Sequence, residues 1–146
     1  MTEIRGFFGP WRFLSNFHYH PVVWEGLDYR TNEHAYQAAK FDSIQKRLFI
    51  HSLETPREAK KAGQDSGMNP NWDNLKYGVM LDLNTQKYSD PKLGAMLLES
   101  GDAYLEETNT WKDIYWGVCN GVGQNNLGKI LMDIRTGLKL ISGRMS

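Results

Sequence analysis

The sequence carries one cysteine, Cys119, and four histidines in 146 residues. A single cysteine rules out an intramolecular disulfide and any Cys-rich zinc site, and it suits a reducing compartment. A surplus of either charge is also missing. Seventeen Lys and Arg balance seventeen Asp and Glu, so no global field draws the chain onto a polyanion, although a local patch is still allowed. No apolar run approaches the roughly 18 residues that would span a bilayer, and the N-terminus lacks a basic-then-apolar signal pattern. Neither a Gly-rich loop followed by Lys-Ser/Thr nor a His-Glu-x-x-His helix is present, which sets aside P-loop and zinc-protease chemistry. His18 and His20 share a face at strand spacing but have no carboxylate or cysteine pattern beside them, so they are weak metal ligands. Cys119 has no histidine adjoining it in sequence and is read as a packed thiol. The expectation is a soluble, cytoplasmic protein of one domain over residues 1–146, with no metal site and no membrane contact.

With 40% hydrophobic residues the chain can bury a real core. Thr2 to Val23 is aromatic and broken by Gly6, Gly9, Pro10 and Pro21, which predicts short strands and turns with Phe7, Phe8, Trp11, Phe13, Phe17 and Tyr19 mostly in the core. Pro21 to Tyr29 reads as a hairpin turning at Glu25-Gly26. Thr31 to Phe41 reads as a helix capped by Thr31 or Asn32. Ala35, Ala38 and Ala39 form one face, and Glu33, Tyr36, Gln37 and Lys40 form another. Thr55, Pro56, Glu58 and Gly63 spell a capping box and a helix stop. A longer helix follows from about Asn71 to Lys87 or Tyr88, with Trp72, Leu75, Val79 and Leu83 near one stripe. Asp90-Pro91 opens a shorter helix with Leu93, Leu97 and Leu98 inward, and Ala103 to Glu107 reads as a brief strand. Leu127, Ile130, Leu131, Ile134 and Leu138 then mark a last amphipathic helix. Helices dominate and the strands sit near the two ends, so the fold class is α+β, mainly helical with a few short strands.

The stretch Trp111 to Arg135 concentrates the chemical signals. Asp113 and Trp116 precede a loop of three glycines (Gly117, Gly121, Gly123) and three asparagines (Asn120, Asn125, Asn126), and the loop feeds the last helix. Gly121 to Asn126 resembles a truncated dinucleotide fingerprint outside any βαβ unit, so phosphate binding by backbone N–H groups and a plain tight turn capped by Asn126 stay equally open. Trp72, on a helix stripe, fits a core position. Trp116, three residues after Asp113, is harder to explain by packing alone, since an acid beside an aromatic can seat a flat heterocycle and stabilise positive charge on its ribose. On its own, Glu33 fits a first-turn residue that compensates the helix dipole.

Taken in order, Phe13-Leu14-Ser15-Asn16-Phe17, Glu33 through Phe41, Trp72-Asp73-Asn74-Leu75-Lys76 with Val79-Met80, and Trp111 through Arg135 resemble the motifs of the NADAR family, also called YbiA-like. That resemblance covers nearly the whole chain. It implies a small α+β N-glycosidase that splits ribose from a heterocyclic base or amine without a cofactor. It implies Glu33 and Asp113 as catalytic carboxylates. Asn16, Tyr36, Trp72, Trp116, Gly117, Gly121, Gly123, Asn125 and Asn126 are implied as substrate contacts. Two nucleotide-like substrates go with the family: ADP-ribose on guanine, with modified guanine in nucleic acid as a further partner, and phosphorylated ribosylamino-pyrimidine intermediates of riboflavin synthesis. Gly63 to Asn71 lacks the arginines of riboflavin-type members, and Asn109 to Asp113 and Trp116 to Cys119 look closer to the ADP-ribose branch, so the first substrate is expected. A non-catalytic reader of ADP-ribose or NAD is the alternative from another class.

Overall fold

A computed structural model describes residues 2–145. Its contacts divide the chain into two compact units, one from Asn16–Lys87, the other from the residues up to Ser15 together with Tyr88 onward.

The unit Asn16–Lys87 begins with an antiparallel hairpin, β2 (Tyr19–Trp24) and β3 (Leu27–Thr31), whose closing pair is Trp24 with Leu27; β1 (Glu3–Arg5) belongs to the other unit. Glu25 and Gly26 both take positive φ, 44° and 86°, the combination that lets a two-residue turn follow the strand twist. The register slips between Tyr19 and Val22, where Pro21 has no N–H to give to the ladder. Val22 and Tyr29 pair across the strands and are both buried.

Thr31 ends β3 and caps α1 (Asn32–Ala39) by accepting the His34 N–H at 3.1 Å. The His34 ring locks this corner. Its Nε2 lies 2.9 Å from the Leu53 carbonyl, which can only accept, so Nε2 carries the proton and Nδ1 accepts from the Thr31 hydroxyl at 2.7 Å. Burial holds this imidazole below the ordinary histidine range.

After α1 comes α2 (Ile44–Ser52), capped by the Ser43 hydroxyl. No periodicity announces α2 in the sequence: its only buried residue is Ile50, while Ile44, Leu48 and Phe49 are exposed. Next, α3 (Pro56–Ala62) carries the expected capping box, with Thr55 and Glu58 exchanging bonds of 3.2 and 3.1 Å. Finally, α4 (Trp72–Ser89) buries Trp72, Val79, Met80 and Leu83. Leu75, expected on that stripe, is 42% exposed instead.

In the other unit β1 (Glu3–Arg5) lies parallel to β4 (Tyr104–Glu106). A 3-10 helix at Gly9–Leu14 replaces part of the expected strand-and-turn segment. Phe13 and Leu14 are buried there, but Phe8 is 70% exposed, and in the hairpin unit Tyr19 is 56% exposed, so those two aromatics leave the expected core. The Asp90 carboxylate caps α5 (Pro91–Glu99) at 3.0 Å from the Leu93 N–H. Two short parallel strands, β5 (Thr108–Asn109) and β6 (Val118–Cys119), precede α6 (Asn126–Met145).

The face of α6 with Leu127, Ile130 and Leu131 is buried, and the Arg135 guanidinium bonds the Ser100 hydroxyl and the Ala103 carbonyl at 2.8 Å each. Helices with short paired strands make this an α+β protein. No helix among the described residues is long and apolar enough to cross a membrane.

Candidate active site

All eight residues of α1 are buried, its polar face included. A helix that hides Asn32, Glu33, His34 and Gln37 must supply their hydrogen bonds from within, because an unpaired buried polar group costs roughly 1–3 kcal/mol. Asn32 Nδ2 donates to the side-chain oxygens of Asn16 (3.2 Å) and Asn84 (3.1 Å), and Asn84 Nδ2 returns to the Met80 carbonyl at 3.0 Å. The Asn16 carbonyl accepts the Glu33 N–H at 3.1 Å, and its amide reaches Met80 Sδ at 3.4 Å. Three asparagines distant in sequence thus fix the first turn of α1, which carries Glu33.

The Glu33 carboxylate is 8% exposed and takes a 2.5 Å bond from Gln37 Nε2, one turn along the helix. Among the described residues, two buried acceptors of α1 have no partner: Gln37 Oε1 and Asn32 Oδ1. A glycine makes room for the first of them, since a Cβ at Gly63 would overlap Gln37 Oε1 and come within 2.6 Å of its Cδ. The Tyr36 and Trp72 rings meet edge to face at 5.2 Å, and the Lys40 ammonium lies 5.7 Å from the Tyr36 ring centroid. Burial lowers the Lys40 pKa; the Glu33 carboxylate opposes that effect, while Lys76 and Lys60 add to it by like-charge repulsion. The Tyr36 and Trp72 rings and the Lys40 ammonium therefore cluster beside α1, with the Glu33 carboxylate near enough to act on Lys40.

Asp113, Trp116 and the glycine-asparagine loop lie in the other unit. Asp113 Oδ1 accepts the backbone N–H groups of Tyr115 (3.2 Å) and Trp116 (2.9 Å), so the acid shapes the turn that presents Trp116. Asn109 organises the same turn: its Oδ1 accepts from Trp111 and Asp113, and its Nδ2 donates to the Asp113 carbonyl at 2.8 Å. Trp116 is 9% exposed and meets Tyr115 edge to face at 4.7 Å.

The loop is built by close approach. A Cβ on Gly117 would overlap Glu107, and one on Gly123 would overlap the Gly117 carbonyl. Asn120 and Gly121 make a two-residue turn with φ of 52° and 78° between the bridged pair Cys119 and Val122. Asn125 Oδ1 accepts the Glu107 N–H at 3.0 Å, and its Nδ2 donates to the Leu105 carbonyl at 2.9 Å and the Tyr104 hydroxyl at 3.3 Å. Asn126 is the first residue of α6, and its side chain bonds Gln124. Gly117, Gly123 and Asn125 thus hold the backbone together, whereas Gly121 sits on an exposed tip.

Asn32 and Asn84 do not stand out as site residues in the sequence. The available signal was Asn84 itself, a poor helix former interrupting the buried run of α4 between Leu83 and Lys87. Among the described residues, no group of three or more His, Cys, Asp and Glu side chains could hold a metal ion.

Comparison with known proteins gives a consistent result. Residues 2–139 match the NADAR domain. The chain is 35% identical over 131 residues to N-glycosidase YbiA of Escherichia coli (strain K12), covering 87% of this chain and 81% of that protein. It is 34% identical over 133 residues to N-glycosidase Npun_R5314 of Nostoc punctiforme, with 86% and 85% covered. Riboflavin biosynthesis protein VVA0006 of Vibrio vulnificus is 30% identical over 131 residues, which are 87% of this chain but 35% of that protein. The NMR structure of E. coli YbiA matches with a TM-score of 0.84 at 32% identity, covering 97% of this chain and 87% of that one. N-glycosidases are hydrolases acting on N-glycosyl compounds, and on the strength of the domain match, the relatives and the shared fold, this chain belongs to the NADAR family.

Proposed function

We propose that this protein is an N-glycosidase that hydrolyses the bond between a ribose and a heterocyclic base, with ADP-ribosylated guanine as its substrate. The observation that carries the reading is the buried Glu33 carboxylate, held at 2.5 Å by Gln37 Nε2 on a helix whose every residue is buried. As the C1′–N bond breaks, its electron pair leaves with the base nitrogen and positive charge grows on the ribose ring. A fixed carboxylate stabilises that charge more than it stabilises the ground state. Water then adds to C1′ and gives up a proton to a carboxylate.

Asn16 and Tyr36 contribute to the ribose side of this reading, and Trp72 to stacking on the base. In the other unit we assign Asp113 as a second functional carboxylate and Trp116 as an aromatic contact. Gly117, Gly121, Gly123, Asn125 and Asn126 are backbone and amide contacts to phosphate or ribose. The chemistry needs only carboxylates and water, and we place it in the cytoplasm.

A second reading is favoured by one observation. Lys40 lies near enough to Lys60 and Lys76 to feel their charge, and lysines can hold a terminal phosphate where the arginines of 63–71 are missing. Riboflavin-related names among the relatives fit the same alternative, a phosphorylated ribosylamino-pyrimidine. Incubation with a guanine-ADP-ribosylated oligonucleotide is expected to release ADP-ribose, and the ribosylamino-pyrimidine phosphate to remain intact. Release of ribose 5-phosphate from the second compound alone would exchange the two substrates. Binding of either without turnover would replace the enzyme with a reader.

Gly63→Ala tests the support of Glu33 without touching the carboxylate. The new Cβ pushes the Gln37 amide aside, while the glycine's own φ of −67° suits any residue. Loss of one hydrogen bond to a charged group is expected to lower kcat by roughly tenfold. The unfolding temperature should fall by about 3 °C or less, since a flexible side chain is what gives way. Unchanged kcat in a steady-state assay would remove Gln37 from the mechanism.

A further inference from the structure

The chain holds ten asparagines, and Asn120 alone is followed by glycine. Its side chain is also the idle one. Among the described residues every other asparagine side chain gives or takes a hydrogen bond, whereas that of Asn120 does neither. The Gly121 N–H is likewise without a hydrogen bond among the described residues, and an added Cβ there would meet nothing within 4 Å.

The turn holds these two residues out from the fold. Cys119 N and Val122 N each donate to the other's carbonyl, at 2.9 and 3.0 Å, so Asn120 and Gly121 protrude beyond the bridged pair with positive φ. Residues 120 to 124 are all exposed. A tip closed by two backbone bonds, with exposed side chains beyond them, opens locally at little cost. Glycine then allows the rotation that brings its own nitrogen up to the preceding side chain.

We infer that Asn120-Gly121 is a self-modification site, at which the asparagine amide is lost through a cyclic imide and replaced by a carboxylate. The Gly121 nitrogen gives its proton to a base in solution and attacks Asn120 Cγ. A new C–N bond forms, and the amide nitrogen leaves as ammonia. Water then opens the ring. Opening at Cγ gives aspartate; opening at the Asn120 main-chain carbonyl gives isoaspartate, whose backbone runs through the side chain and is longer by a single atom. Water is the only co-reactant, and nothing is oxidised or reduced.

Both products change the loop between Trp116 and α6. Each puts a negative charge on its tip, and the isoaspartyl form must also seat an extra atom between Cys119 and Val122, whose paired bonds fit a two-residue turn. Gly123 has no slack to offer, because a Cβ there would overlap the Gly117 carbonyl. The modification itself is independent of the N-glycosidase reading. Its effect on activity rests on that reading, through the assignment of Gly121 and Gly123 to phosphate or ribose: a carboxylate at the tip repels a phosphate.

Peptide mapping by mass spectrometry of the full chain, aged at neutral and mildly alkaline pH, tests the site. The Asn120 peptide is expected to yield two acidic products of equal mass, aspartyl and isoaspartyl, both labelled when the water carries heavy oxygen. Their formation should outpace the conversion of any other asparagine by about tenfold or more, and quicken roughly tenfold per pH unit, because the attacking nitrogen must first lose its proton. Asn120→Gly removes the amide and suits the φ of 52°, so its peptide should keep a constant mass and its unfolding temperature should match the parent. Conversion of Asn120 no faster than that of the other asparagines, or aspartate without isoaspartate, overturns the site. Asn120→Asp is expected to raise KM for a phosphate-bearing substrate a few-fold; an unchanged KM overturns the effect on activity. If isoaspartate forms in a parent that hydrolyses nothing, the modification site stands and the glycosidase reading falls. If the parent is active and Asn120 keeps its amide, the reverse holds.

Discussion

Glu33→Gln is expected to lower kcat by about 10²- to 10⁴-fold while leaving KM within a few-fold of the parent, the range set by removing one acid–base or charge-stabilising group. Glutamine keeps the shape of the side chain, and its oxygen can still accept from Gln37 Nε2, so the α1 network survives. What disappears is the negative charge that meets the developing cation. Stability should hold or rise slightly, because the carboxylate is 8% exposed and a buried charge gives way to a neutral amide. Glu33→Ala is the less informative change, since it strands Gln37 Nε2 beside an oxygen already without a partner. Quantifying the released base by chromatography, under single and multiple turnover, with thermal unfolding in parallel, checks all of this. A Glu33→Gln enzyme retaining more than about a tenth of the parent kcat would pass the catalytic role to another acid. Asp113→Asn is the natural comparison, because an asparagine Oδ1 can still accept from Tyr115 and Trp116.

The elements readable in the sequence are those decided within a few residues. Thr31, Thr55 and Asp90 each place an oxygen over the first turn of a helix, and Glu25-Gly26 closes a hairpin through its own backbone preference. What was not legible depends on partners far along the chain. Ser43 caps α2, but α2 has only one buried apolar residue to announce it. Glu33 resembled an ordinary first-turn acid because the residues that bury its turn, Asn16 and Asn84, lie 16 and 52 positions from Asn32. The family motif singled out Glu33, Tyr36 and Trp72 as expected site residues, while the Gln37 bond, the unpaired oxygens and the space that Gly63 leaves arise only in the fold. The glycine-asparagine loop is the opposite case. Its composition suggested a phosphate cradle or a tight turn with equal force, and in the fold Gly117, Gly123 and Asn125 each hold one backbone segment against another. A glycine kept for torsion and one kept for contact look the same in a sequence.

Gly128→Ala shows that difference most sharply. In the interior of an exposed helix the change is worth up to about 1 kcal/mol of stability, and Gly137, farther along α6 with nothing within 4 Å of an added Cβ, should gain it. At Gly128 the added Cβ would overlap the Leu105 carbonyl oxygen and stand 2.6 Å from Asn125 Oδ1. Neither neighbour can retreat cheaply. Leu105 is in β4, in register with Ile4 of β1, and its carbonyl accepts from Asn125 Nδ2 at 2.9 Å. Asn125 Oδ1 is in turn occupied by the Glu107 N–H at 3.0 Å. To fit the methyl, α6 must lift from β4 or the Asn125 clamp must open, exposing apolar surface or leaving buried groups unpaired. Overpacking of this kind combined with lost buried hydrogen bonds costs about 2–4 kcal/mol, a fall in unfolding temperature on the order of 10 °C. Two alanines in one helix should therefore move stability in opposite directions, Gly137→Ala upward and Gly128→Ala downward, measured by thermal and urea unfolding of both variants. If both rise, the contact between α6 and β4 is looser than its atoms indicate.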